Sequence, residues 1–228
     1  LPRGKWAHIA GVYDGRGEIR FYVDGVLQER APFAGNYEVS LQPLLLGANP
    51  DTGRVATEFF RGRMDEIRIS KAARYDGDFT PARRHEPDAD TIALYHCDEG
   101  AGGVLQDASD NKHDGRVFNA GWTIADGPTA QAPADDCALD VSDSDGFVVP
   151  GLEMDPNKPF TIEFTALPIA FPTTPTANSP LMNLGRFSLK QYSNASGSTW
   201  QAVSTSEDQQ LTYVKAGDCG LGRRDRIA

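Results

Sequence analysis

Four residues with oxygen-bearing side chains lie close together near the middle of the chain and could bind a metal ion. They are Asp107, Asp110, Asn111 and Asp114. Calcium takes six to eight oxygen ligands from carboxylates, amides and backbone carbonyls, and loops of this composition supply such ligands. We therefore predict calcium as a cofactor here, with Asp65 as a further candidate ligand. The alternative is a loop of Asx turns, in which the same side chains hydrogen-bond their own backbone.

A second stretch, Met64–Ser70, has the alternation of a β-strand and carries two acids. Successive side chains of a strand point to opposite faces, so we expect one face to carry Asp65 with two isoleucines and the other to carry Met64, Glu66, Arg68 and Ser70. Hydrolysis of a glycosidic bond requires two carboxyl groups that flank it. No such pair is predicted on this strand. We expect a salt bridge between Glu66 and Arg68 or another base, and we predict no catalytic residue.

Aromatic residues are the candidates for ligand binding. Trp200 lies between Thr199 and Gln201 in a polar stretch, and we predict that Trp200 and Tyr192 contact a ligand. The other two tryptophans are expected in the core, because large apolar side chains are usually buried there. The four histidines share no spacing that indicates a metal site or a catalytic base, and we expect His8 and His96 to be structural.

Short alternating segments must position these residues. The clearest is Glu18–Val23, and an Asp24-Gly25 pair then predicts a hairpin. No stretch has a convincing helical pattern, and 23 glycines and 15 prolines separate the apolar runs. The sequence therefore predicts an all-β sandwich or barrel.

The charge is unevenly distributed. The 228 residues have a formal net charge of −10, and residues 86–155 hold 16 acids against two bases. Such a block disfavours phosphate-rich partners, so no nucleic acid is expected. No apolar run approaches the roughly 18 residues that a membrane-spanning helix needs, so no membrane insertion is expected.

Two stretches resemble the laminin G-like domains of the concanavalin A-like lectin/glucanase superfamily. Trp6–Gly15, Ile19–Gly25, Leu45–Gly47 and Phe60–Ile69 are similar to the second half of such a domain. Ala93–Gly102 begins a stretch similar to the first half, which continues to Phe160–Glu163. The resemblance implies a two-sheet antiparallel jelly roll, a calcium ion at a loop rim, and an extracellular or cell-surface location.

The order of the two stretches is a closing half followed by an opening half. We predict a closing half over residues 1–80, a polar linker over 81–90, an opening half over 91–216 and a poorly ordered tail over 217–228. The halves form either one permuted sandwich or parts of two domains in a tandem array. Since the first residue is Leu1, we expect the chain to be a segment of a longer multidomain protein.

The fold resemblance and the missing carboxylate pair together predict a non-catalytic binding or adhesion module. Its ligand would be a glycan or an extracellular protein. Two alternatives stay open: a polysaccharide hydrolase or lyase, and a structural spacer within a large surface protein.

Overall fold

The structure, a computed structural model, describes residues 4–32, 43–50, 56–57, 59–124, 137–141, 146–152, 155, 157–169, 178–184, 187–194, 197–205 and 211–216. From residue 178 onward, it describes the side chains of Leu189, Lys190 and Gln201 alone. The predicted tail over 217–228 lies outside the described residues.

Every regular element in these ranges is a β-strand, so the all-β prediction is confirmed, and no helix there could cross a membrane. The strands of the first part are β1 (Ala7–Tyr13), β2 (Glu18–Val23), β3 (Val26–Pro32), β4 (Leu44–Leu46), β5 (Asn49–Pro50), β6 (Ala56–Thr57) and β7 (Gly62–Ser70). After residue 90 follow β8 (Thr91–Tyr95), β9 (Val104–Leu105), β10 (Gly115–Phe118), β11 (Gly121–Ile124), β12 (Cys137–Val141), β13 (Gly146–Val149), β14 (Phe160–Pro168), β15 (Asn178–Leu184), β16 (Phe187–Asn194), β17 (Gly197–Thr205) and β18 (Leu211–Ala216).

The strands form two large antiparallel sheets. Sheet A has the order β11-β12-β7-β14-β1-β2-β3, with β8 also paired to β7. Sheet B has the order β18-β17-β16-β15-β4-β13-β10-β9. This arrangement confirms the predicted two-sheet sandwich. It also brings strands from before residue 81 and after residue 90 into both sheets, since β7 pairs with β8 and β14, and β4 lies between β13 and β15.

The core contains apolar side chains from both sheets. Ile9 and Ile162 of sheet A belong to the same buried cluster as Leu46 and Phe147 of sheet B. All four are fully buried. The alternation of apolar and polar residues in the sequence predicts the core-facing side of these strands correctly, because that side must be apolar to exclude water.

A β-bulge in β7 overturns part of the predicted alternation. The pairing with β14 shifts between Asp65 and Arg68, and Glu66 has a positive φ of 48°. The extra residue changes which side chains face the core. Met64, predicted on the face opposite Ile67, is instead buried in the same core cluster, so that prediction was wrong.

The outer face of sheet A is covered by the crossing segment, residues 71–90, which connects β7 to β8. Its Tyr75 and Phe79 pack on Val12 and Tyr22 in a second, smaller apolar cluster. The Phe79 amide donates a 2.8 Å hydrogen bond to the carbonyl of Gly25 in the β2–β3 hairpin. A Cβ on Gly25 would lie 1.9 Å from the Phe79 carbonyl oxygen, so only glycine permits this close approach.

Candidate functional site

A buried carboxylate lies between sheet A and the crossing segment. Glu163 projects from β14 on the outer face, and its side chain has 0% exposure. Arg68 of the neighbouring strand places Nε 2.8 Å and Nη2 2.7 Å from Oε1. The Tyr75 hydroxyl donates a 2.8 Å hydrogen bond to Oε2, and Nε2 of His8 lies 3.1 Å from the same oxygen. Both carboxylate oxygens therefore contact polar protein groups.

The surroundings keep Glu163 ionised. Burial by itself raises the pKa of this carboxyl group, but the hydrogen bond with His8 and the neighbouring positive charge of Arg68 outweigh burial and lower the pKa to about 2. Burial and the charge of Glu163 raise the pKa of Tyr75, so its phenol stays neutral and acts as a donor. At ordinary pH, Glu163 is thus an ionised carboxylate with a structural role, and the positive charge of Arg68 balances its own.

His85 of the crossing segment lies over this cluster. Its backbone amide donates a 2.8 Å hydrogen bond to Oε2 of Glu66, and its ring Nε2 lies 3.8 Å from Oε2 of Glu163. The side chain is 1% exposed, and burial lowers its pKa to about 4, so the ring is neutral. The segment predicted as a polar linker therefore includes a buried residue that lies between two carboxylates and is hydrogen-bonded to one of them.

Glu66 has different partners from the one first expected. Its Oε1 lies 2.8 Å from Nδ1 of His96 and 3.3 Å from Nη1 of Arg84, while Arg68 binds Glu163 instead. Another base therefore forms the predicted salt bridge. The bulge at Glu66 explains the choice, because it breaks the alternation that would have placed Glu66 beside Arg68.

Glu66 and Glu163 both contact His85, so the structure brings together two carboxyl groups that sequence reasoning did not pair. Glu66 lies on β7 and Glu163 on β14, two strands that are far apart in the sequence. Spacing along the sequence therefore could not reveal that these two carboxyl groups meet. A hint existed in Phe160–Phe164, where Glu163 occurs in an otherwise apolar and hydroxyl-bearing strand. The side chains of Glu66 and Glu163 are 6% and 0% exposed, so no open groove lies between them.

The predicted calcium loop is organised around Asp107, which is 2% exposed. Its Oδ1 accepts hydrogen bonds from the amides of Leu94 and Ser109 at 2.9 and 2.8 Å. Its Oδ2 accepts from the His113 amide and the Ser109 hydroxyl, both at 2.8 Å. Four protein donors thus occupy this carboxylate, and these are the contacts that the Asx-turn alternative predicts.

The other predicted metal ligands are arranged around the same loop, with one exception. Asp114 accepts a 2.9 Å hydrogen bond from the Asp107 amide through Oδ1, and the Asn111 side-chain amide donates to the Thr91 and Ile92 carbonyls at 3.1 and 2.9 Å. Asp110 is exposed. Asp65 lies on β7, where its Oδ1 accepts the Glu66 amide at 2.8 Å. Calcium at this loop stays a prediction.

The predicted ligand-binding aromatics lie on adjacent strands of sheet B. Trp200 of β17 pairs with Gln191, and Tyr192 of β16 pairs with Thr199. The two residues therefore occupy neighbouring register positions in one ladder. Their side chains lie outside what the structure describes, so their role in binding stays a prediction.

Comparison with known proteins agrees with the architecture. Residues 1–78 match a laminin G family model described as the concanavalin A-like lectin/glucanases superfamily. No curated protein matches the chain. The matched range holds β1 to β7. Of these, β1, β2, β3 and β7 belong to sheet A, β4 belongs to sheet B, and β5 and β6 form a separate two-stranded sheet. The chain is therefore an all-β protein with two antiparallel sheets, consistent with a concanavalin A-like sandwich, and its residues 1–78 match a laminin G family model of that superfamily.

Proposed function

We propose that this chain is a non-catalytic binding module of an extracellular or cell-surface protein, with a glycan as its ligand. The observation that carries the proposal is the burial and neutralisation of Glu66 and Glu163 beneath the crossing segment. The sandwich then serves as a rigid support for binding loops or strands, as is common for domains of this architecture.

The state of Glu163 argues against glycoside hydrolysis at this site. A general acid in that reaction needs a raised pKa and access to the leaving oxygen. Glu163 has a pKa lowered to about 2 and a fully buried side chain. An enzyme working here would have to displace the crossing segment and break three hydrogen bonds and the Arg68 ion pair of one carboxylate.

Sheet B offers the better candidate surface for binding. Its strongest candidate is Trp200 on the long strand β17, because an aromatic ring is suited to stacking on the apolar face of a sugar; by register, Tyr192 of β16 belongs to the opposite face and would bind separately. The net charge of −10 favours a neutral glycan over an acidic one. An extracellular protein is the other ligand that this surface could take.

Glycan arrays, run in calcium and in chelator, test the proposal. We expect binding of a neutral glycan, at least about tenfold weaker for Trp200→Ala and restored by Trp200→Phe, since stacking needs the aromatic face. The bound glycan should be recovered intact, with no new reducing ends or unsaturated products. Turnover would contradict the proposal and favour the enzyme, and absence of binding to any glycan or matrix protein would favour the structural spacer.

A further inference from the structure

We propose that His8, His85 and Glu163 form a structural binding site for a transition-metal ion, with Zn²⁺ as the best match. The site is separate from the predicted calcium loop and independent of the proposed glycan binding. Its ligands come from β1, the crossing segment and β14, so a bound ion would hold the crossing segment against sheet A.

The geometry of the three side chains fits such an ion. The nitrogen and oxygen atoms that they offer all lie within 4.8 Å of one another. Nε2 of His8 is 3.1 Å and Nε2 of His85 is 3.8 Å from Oε2 of Glu163. Zinc takes imidazole and carboxylate ligands at about 2.0–2.2 Å in a tetrahedral arrangement, which places ligand atoms roughly 3.3–3.6 Å apart. Small side-chain adjustments therefore suffice.

The ring of His85 provides an independent observation that points to a ligand. Its side chain is 1% exposed, and within the described residues neither ring nitrogen has a hydrogen-bond partner. A buried polar group without a partner is costly and rare in native proteins. Its Nε2 is the atom nearest Glu163, and coordination of a metal would satisfy it.

The groups around Glu163 support a metal-bound carboxylate. Arg68 binds Oε1 and leaves Oε2 as the ligand atom, and the Tyr75 hydroxyl lies 2.8 Å from Oε2. Outer partners of this kind orient metal-binding side chains and tune their affinity. Tyr75 would act as such an outer partner by donating to Oε2.

The charge near the site includes both signs. Arg68 is a nearby cation that weakens metal affinity, and Glu66, bound to the His85 amide, is a nearby anion that offsets it. Two imidazoles and one carboxylate give a donor set that divalent zinc accepts in proteins. The full enclosure of the ligands indicates a structural ion taken up during folding rather than a catalytic one.

Refolding with one equivalent of Zn²⁺ or with chelator tests the site. We expect zinc to raise the melting temperature by about 5–10 °C. His85→Leu should remove this shift. In chelator, the His85→Leu variant should melt at or above the melting temperature of the parent protein, because the substitution removes a buried, unpaired ring. His113→Ala, outside the site, should keep the shift and serves as the matched control.

X-ray absorption of the zinc-loaded protein identifies the ligands. Nitrogen and oxygen neighbours that disappear in His85→Leu would support the site. Three results would overturn it: no melting shift with zinc, a shift that His85→Leu retains, or sulfur neighbours, which would assign the ion to the cysteines. A large destabilisation of His85→Leu in chelator would also contradict the proposal, since His85 would then have a structural role of its own.

Discussion

The two faces of sheet A are both buried, but by different means. The inner face packs apolar residues such as Ile9 and Ile162 against sheet B. The outer face carries His8, Arg68 and Glu163, enclosed by the crossing segment over residues 71–90. Removal of apolar area from water stabilises the inner face. The cost of a truncation there therefore grows with the size of the group removed. The outer face depends on each charge keeping its partner. Polar residues on a strand therefore do not by themselves indicate a face open to solvent or to substrate.

The largest effect should come from breaking the ion pair of the outer face. Arg68→Ala leaves Glu163 buried without its main counter-charge and should cost about 3–5 kcal/mol in the free energy of unfolding. Urea denaturation measures this cost. The control Arg16→Ala, at an exposed position in the β1–β2 turn, should change the free energy by less than about 0.5 kcal/mol. Equal costs for the two variants would place Arg68 in solvent.

The inner face should respond on a similar or smaller scale. Ile67→Ala removes a fully buried side chain next to the bulge and should cost about 2–5 kcal/mol, depending on how far the cavity collapses. Val26→Ala, at a residue that is 50% exposed, is the matched control and should be nearly neutral. A cost for Ile67→Ala below about 0.5 kcal/mol would mean that this face is not the core.

These differences also show how far the sequence could predict the fold. The alternation in Glu18–Val23 and the Asp24-Gly25 pair predicted the β2–β3 hairpin, because local turn chemistry and one-sided burial determine both. The outer face could not be predicted in the same way. Polar residues occur at every second position of a strand both when that face is exposed to water and when another segment covers it, so the two cases have the same sequence pattern.

The candidate site was missed for a related reason. His8, His85 and Glu163 are far apart in sequence, and they meet only through the pairing of β1 with β14 and the path of the crossing segment. The bulge at Glu66 likewise has no signature in the apolar pattern. By contrast, Asp107 and Asp114 could be grouped correctly, because a short loop brings them together.

The Asp107 loop offers a third comparison. Asp107 is a buried carboxylate that accepts hydrogen bonds mainly from backbone amides, whereas Glu163 is a buried carboxylate paired with Arg68. Asp107→Asn places an amide donor against amide donors and should cost about 1–3 kcal/mol. The Asx-turn alternative predicts the same cost in millimolar calcium and in chelator, measured by urea denaturation. Asp110→Asn, at an exposed position, is the control. A cost that is larger in calcium would instead support a calcium ion bound at this loop.

The smallest effect should come from the exposed rim of the outer face. Arg74 binds Asp88 through two hydrogen bonds of 2.8 and 2.7 Å, and these bonds lower the pKa of Asp88 below its ordinary value. The contribution is therefore present above about pH 4 and lost as the pH falls through the lowered pKa. Because Asp88 is 48% exposed, Asp88→Asn should cost only about 0.5–1 kcal/mol at pH 7.

Denaturation across pH checks this prediction. The difference between the parent and Asp88→Asn should shrink as the pH falls below about 4, because the parent then loses the same charge. Asp76→Asn, an exposed neighbour in the crossing segment, is the control. A difference that is constant from pH 7 to pH 2 would contradict an ionic contribution.

A double-mutant cycle between Arg68 and Glu163 tests most directly whether the outer face is enclosed and its acid neutralised. Arg68→Met, Glu163→Gln and the double variant would be unfolded in urea with chelator present. Burial of the pair predicts a coupling free energy of about 2–3 kcal/mol, with the double variant more stable than the two single costs together imply. A coupling below about 0.5 kcal/mol, as found for many exposed ion pairs, would mean that Glu163 lies open to solvent and could meet a substrate.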